Sequence, residues 1–154
     1  MLTDPYDPSW TPLLEAAWQA REHAHAPYSG FRVGAALRTA DGAVVAGCNV
    51  ENAAYPLCTC AERATVAAAV GQGHLRPGGL AALAITTEAE RLTAPCGACR
   101  QVLAEFAERL PVLLANRSAR RVLDLADLLP EAFTARDFNP PSPLPDLSKA
   151  RPSS

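Results

Sequence analysis

A chain of 154 residues, 49% hydrophobic and 19% charged, is long enough to bury one substantial core and too short to argue for two, so one soluble domain is expected. Its formal net charge of -2 excludes a general electrostatic grip on a nucleic-acid polymer and favours a small neutral ligand. No apolar run reaches the roughly 18 residues that a membrane helix needs, and the start, Met1-Leu2-Thr3-Asp4-Pro5, lacks the basic and apolar stretches of a signal peptide. The cytoplasm is therefore the expected compartment. There Cys48, Cys58, Cys60, Cys96 and Cys99 stay reduced and read as ligands or small buried residues rather than as a disulfide framework.

In chain order, Thr11-Pro12 reads as an N-cap followed by proline at the first helical position, and Leu13, Leu14, Ala17, Trp18 and Ala24 recur at helical spacing. A first helix is predicted to run to about Ala26-Pro27. Two β-prone runs, Phe31 to Arg38 and Ala43 to Val50, flank Asp41-Gly42 and predict a hairpin. The alanine-rich stretch from Thr59 to Val70 predicts a second helix, stopped by Gly71-Gln72-Gly73. Leu80 to Thr87 reads as a buried strand, and Gly97 to Leu110 as a third helix with Ala98, Val102 and Phe106 on one face. Val112-Leu113-Leu114-Ala115 and Arg121-Val122-Leu123 follow, joined by too few residues for a parallel crossover, so these last two strands should be antiparallel. A short helix, Leu125 to Leu129, ends at Pro130, and a proline-rich tail occupies 139–154. This order predicts an α/β fold, a three-layer α/β/α sandwich around a mixed five-stranded sheet.

Two cysteine clusters carry the chemistry: Cys60 in Thr59-Cys60-Ala61-Glu62-Arg63, and Cys96 with Cys99 in Pro95-Cys96-Gly97-Ala98-Cys99-Arg100. Each is placed at a helix start, where orphan N–H groups and the helix dipole favour the thiolate that binds metal. Three thiolates close three corners of a tetrahedral zinc site and leave the fourth for a catalytic water. Each piece also has a plainer reading. A Cys-x-x-Cys pair occurs in structural zinc sites and redox pairs, and Thr59-x-x-Glu62 before an apolar run is a capping box. His23, His25 and His74 have no ligand-like neighbours. A structural zinc module would need a fourth ligand, and Cys58 is the nearest alternative.

Taken together, Cys60-Ala61-Glu62 and Pro95-Cys96-Gly97-Ala98-Cys99 match the zinc-deaminase signature of His- or Cys-x-Glu followed by Pro-Cys-x-x-Cys. With Pro27-Tyr28-Ser29-Gly30-Phe31, Val33-Gly34-Ala35-Ala36, Gly47 to Pro56 and Cys99-Arg100-Gln101-Val102-Leu103, the chain closely resembles the small homotetrameric cytidine deaminases over most of residues 10 to 135. The resemblance implies one zinc ion per chain on Cys60, Cys96 and Cys99, and Glu62 as the proton carrier for hydrolytic deamination of cytidine and 2′-deoxycytidine. It implies that Asn49 and Glu51 hold the ribose hydroxyls, that Phe31 flanks the pyrimidine, and that Ala61 and the Ala94 carbonyl complete substrate binding. Arg63 would offset the -1 charge of three thiolates and one zinc ion. Arg100 reads as a brace for the second cysteine helix.

The resemblance further implies a homotetramer in which Tyr55 and Phe133 reach a neighbour's site, although Phe133-Thr134-Ala135-Arg136 stands where the family commonly has Phe-Gly-Pro. It makes residues 1–138 a single deaminase domain acting on a nucleoside, with neither nucleic-acid polymer nor membrane as partner. A deaminase of aminonucleoside antibiotics, of the blasticidin type, shares the zinc and glutamate motifs; the Asn49-x-Glu51 pair favours an ordinary nucleoside.

Overall fold

The structure is a computed structural model and describes residues 3–138, so the proline-rich tail lies outside the described residues. Five strands, β1 (Gly34–Thr39), β2 (Val44–Cys48), β3 (Leu80–Thr86), β4 (Pro111–Ala115) and β5 (Arg120–Asp124), form one sheet in the order β2-β1-β3-β4-β5. β3 and β4 run parallel, and every other neighbouring pair is antiparallel. The parallel pair needs a crossover, and α3 (Gly97–Ala104) supplies it. α1 (Thr11–Glu22) covers one face of the sheet, while α2 (Ala61–Gly71), α3 and the short α4 (Leu125–Leu128) lie on the other.

The two faces differ in side-chain size, and the period of two along each strand sets the difference. On the α1 face, Ala36, Ala82, Ala84 and Ala115 leave room into which Trp10, Leu13 and Leu14 pack. On the opposite face, Leu37, Leu83, Ile85, Val112 and Leu114 form the larger core with Val66 and Leu103. Gly34 permits the closest approach of α1, because a Cβ there would lie 1.9 Å from the Ala17 carbonyl oxygen. Gly47 does the same for α2, since a Cβ would meet Thr65 Oγ1 at 2.8 Å. The Thr65 hydroxyl donates to the Ala61 carbonyl at 2.7 Å, which ties off the first turn of α2.

Several element ends fall elsewhere than the sequence pattern places them. Thr11 is already helical rather than an N-cap, because a 3-10 turn, Pro8–Trp10, feeds directly into α1; Asp7 caps that turn by accepting from Ser9 N–H at 2.8 Å. α1 stops at Glu22, not near Ala26, because His25 forms a bridge with Val50. Ala24 is buried, but beyond the helix. α3 ends at Ala104, where the Phe106 and Ala107 N–H groups both turn back to the Leu103 carbonyl. Its buried face is Cys99 and Leu103; Val102 and Phe106 pack at the margin and Ala98 is exposed.

Candidate metal centre and active site

The two cysteine loops meet because α2 and α3 begin side by side at the same end of the sheet. Cys60 is the N-cap of α2 and Cys96 the N-cap of α3, both in extended backbone (φ -70°, ψ 152° and φ -66°, ψ 166°). Neither helix start has a side-chain cap hydrogen bond, so both sulfurs are left for another partner. Cys99 lies one turn into α3 and is fully buried. The Cys60 and Cys96 sulfurs lie 3.9 Å apart and those of Cys96 and Cys99 3.4 Å apart; all three fall within 4.8 Å of one another. They are the cluster among the described residues able to hold a metal ion, and no histidine belongs to it.

The capping box read from Thr59 and Glu62 does not form. Thr59 is held in a bridge with Val50, donating its N–H to the Val50 carbonyl at 2.9 Å and accepting Val50 N–H at 2.9 Å. The helix therefore starts one residue later, and Glu62 occupies its second position. That frees Glu62 from capping and places it, 5% exposed, beside the Cys99 thiol. Burial raises its pKa above the ordinary carboxylate value, against the opposing pull of its own backbone N–H, Cys99 and Arg63. A carboxyl poised to take and return a proton is what this environment favours.

The thiols differ among themselves. Burial raises Cys60, and burial together with the nearby Glu62 carboxylate pushes Cys99 far up. Burial also pushes Cys96 upward, but the Cys99 N–H and the neighbouring thiols outweigh it and hold Cys96 below the ordinary value. Zinc(II) fits this donor set: three sulfurs converge on one point, and a dication reverses the mutual repulsion that keeps buried thiols protonated. A second observation agrees. The Nε of Arg63 is buried with no hydrogen-bond partner, while its Nη2 donates to the Cys58 carbonyl at 2.9 Å. An unsatisfied guanidinium donor just past Cys60 suits a site meant to carry thiolate charge.

A cavity of about 390 Å³ opens above the sulfurs. Its lining includes the buried Ala61 and Glu62 at its inner end beside Cys60 and Cys96, the half-buried Thr93 and Ala94, and, at the more exposed rim, Phe31, Asn49 and Glu51. The structure thus brings together nine of the twelve residues singled out from the sequence: eight line the cavity, and Cys99 adjoins it as the third sulfur, while Arg63 sits just behind Cys60 without lining it. Val33, Val50, Ile85, Thr93 and Ser29 also line it and were not singled out. Ser29, Val33 and Val50 carry a signal, their places in the Pro27 to Phe31, Val33 to Ala36 and Gly47 to Pro56 stretches; Ile85 and Thr93 carry none.

The rim is tied by hydrogen bonds. Asn49 Nδ2 donates to the Phe31 carbonyl and Asn49 Oδ1 accepts from Val33 N–H, both at 2.8 Å. Glu51 accepts from Tyr28 N–H at 2.8 Å, from Ser29 N–H at 3.2 Å and from the Ser29 hydroxyl. These donors, the Ser29 hydroxyl foremost, hold its pKa below the usual carboxylate range.

Other residues stand apart from the cavity. Tyr55 and Phe133 are 68% and 58% exposed and do not line it; Tyr55 edges onto Tyr28, and Phe133 onto Phe138. Cys58 is half-buried rather than buried. It lines the cavity wall, yet its sulfur accepts from Asn52 N–H at 3.3 Å and lies outside the metal-binding cluster. Arg100 braces the second cysteine helix, donating from Nε to the Pro95 carbonyl at 2.8 Å and from Nη1 to the Leu128 carbonyl at 2.7 Å.

Comparison with known proteins agrees with this geometry. Residues 10–114 match the family model described as the cytidine and deoxycytidylate deaminase zinc-binding region. The chain is 44% identical over 129 residues to a cytidine deaminase of Halalkalibacterium halodurans, covering 82% of this chain and 96% of that one. It is 44% identical over 132 residues to a cytidine deaminase of Mycobacterium tuberculosis, covering 86% and 95%. Among solved structures, a cytidine deaminase from Burkholderia pseudomallei superposes with a TM-score of 0.76 at 54% identity, over 80% of this chain and 98% of that one.

Proposed function

The chain belongs to the cytidine and deoxycytidylate deaminase family, and from that premise we propose that it converts cytidine and 2′-deoxycytidine, with water, to uridine and 2′-deoxyuridine plus ammonia. The observation that carries the reading is the convergence of the Cys60, Cys96 and Cys99 sulfurs within 4.8 Å, with a buried glutamate beside them at the inner end of a cavity.

Cys60, Cys96 and Cys99 would hold one zinc ion, whose chemistry is to acidify water and polarise it for attack. Glu62 does the proton work: it accepts the proton of the attacking water, delivers it to N3 of the pyrimidine so that C4 becomes electrophilic, then takes the proton of the hydroxyl added at C4 and passes it to the departing amine. One carboxyl suffices because each proton it takes is given up before the next is needed. The Ala94 carbonyl accepts from the 4-amino group, and a backbone contact tolerates alanine at that position. Phe31 flanks the base, Ala61 adjoins it, and Asn49 with Glu51 reads the ribose hydroxyls. Arg63 offsets thiolate charge.

We extend the reading to a homotetramer working in the cytoplasm, where thiols stay reduced. The exposure of Tyr55 and Phe133 supports their use in a neighbour's site. No helix among the described residues is long and apolar enough to cross a membrane. The test is to follow uridine and ammonia release from cytidine by zinc-loaded protein beside its Glu62→Gln variant. Turnover by the wild type alone supports the reading; no turnover, or equal turnover by the variant, overturns it. Sedimentation showing a monomer at working concentration would overturn the tetramer.

A further inference from the structure

The sugar-reading pair and the base-flanking aromatic are joined by one hydroxyl. Ser29 Oγ donates to Glu51 Oε1 and accepts the Phe31 N–H at 2.9 Å, while the Phe31 carbonyl is held by Asn49 Nδ2 at 2.8 Å. Both polar groups of the Phe31 peptide therefore lead to the sugar edge, directly through Asn49 and through Ser29 to Glu51. A carboxylate offers about four acceptor sites. Three of those on Glu51 are taken by the Tyr28 N–H, the Ser29 N–H and the Ser29 hydroxyl. The remaining site is open to a ribose hydroxyl, and both Ser29 and Glu51 face the cavity. Ser29 thus links the Glu51 carboxylate to the Phe31 backbone.

We propose that Ser29 is a positioning residue that couples sugar recognition at Glu51 to the placement of Phe31 against the base, so that hydroxyl-bearing ribosides are bound in preference to analogues that lack those hydroxyls. The inference rests on the nucleoside reading above. Removing the hydroxyl leaves the Phe31 N–H without its partner and Glu51 with one donor fewer. It touches neither the sulfurs nor Glu62.

The experiment compares wild type, Ser29→Ala and Ser29→Thr for kcat and KM on cytidine, and for competitive inhibition by uridine and by 2′,3′-dideoxyuridine, with thermal midpoints measured alongside. Ser29→Ala is expected to raise KM for cytidine and the inhibition constant of uridine by about 3- to 10-fold, the worth of one neutral hydrogen bond, with kcat within about twofold. The dideoxyuridine constant stays within about twofold, and Ser29→Thr, which keeps a hydroxyl, recovers most of the loss. Equal weakening of both inhibitors, or no change in either, would overturn the coupling. Absence of wild-type turnover would instead overturn the nucleoside reading and this inference with it, whereas wild-type turnover with an unchanged Ser29→Ala profile overturns this inference alone.

Discussion

The metal corner and the sugar rim of the same cavity are built by opposite means. At the corner, two helix N-termini are seated on the sheet by close packing, with Gly47 admitting α2, Thr65 tying its first turn and Cys99 and Glu62 buried. At the rim, the residues are half-buried or exposed, and the loop from Tyr28 to Val33 is held by hydrogen bonds between its backbone, with the Ser29 hydroxyl, and two side chains, Asn49 and Glu51. The contrast teaches a division of labour. Proton transfer needs a dry, fixed carboxyl whose position does not depend on substrate, while sugar reading needs polar groups that still have capacity to spare.

If that division is right, damage to the corner should fall on kcat and metal content, and damage to the rim on KM. The largest effect is expected at Glu62: Glu62→Gln keeps the fold and the zinc content but lowers kcat by about 10²- to 10⁴-fold, measured by uridine formation. Next comes Arg100→Ala, which leaves the Pro95 and Leu128 carbonyls without that donor and loosens the helix carrying Cys96 and Cys99. Its zinc affinity, read by competition with a chelator, should fall by about 10-fold, as for other groups that support metal ligands. Asn49→Ala should raise KM for cytidine by about 10-fold, since it removes a sugar contact and frees the Phe31 carbonyl and Val33 N–H together, with kcat little changed. A kcat loss equal to the KM effect would erase the distinction between corner and rim.

The sequence made the corner legible and the rim much less so, for physical reasons. The cysteine spacings and the alanine-rich run report a local arrangement, sulfurs at helix starts, that tertiary contacts did not change. α2 starts one residue later than the local pattern predicts because Thr59 is claimed by Val50, nine residues earlier, and no local pattern announces that bridge. The early end of α1 has the same cause, since His25 pairs with Val50 rather than continuing the helix. Asn49 and Glu51 drew notice only through a resemblance. Their grip on residues 28–33 joins side chains to backbone groups 16 to 23 positions away, which periodicity cannot encode.

A smaller effect serves as a control outside the cavity. Burial tends to raise the pKa of Asp124, but donation from Ala126 N–H, the Arg109 guanidinium and Leu110 N–H holds it below the ordinary value. A carboxylate with a depressed folded-state pKa contributes stability above its unfolded pKa, and that contribution is lost as pH falls through the folded value. Asp124→Ala should thus cost about 1 kcal/mol at neutral pH, the usual worth of an N-cap, and progressively less in denaturant melts below about pH 4. Cytidine KM should not move.

The central claim is that three sulfurs hold the metal and a fourth corner stays open. X-ray absorption at the zinc edge of the loaded protein measures this directly. The account predicts three sulfur neighbours at about 2.3 Å and one oxygen or nitrogen neighbour near 2.0 Å, unchanged in Cys58→Ser. Four sulfur neighbours in the wild type, falling to three in Cys58→Ser, would mean a closed structural site and would contradict it.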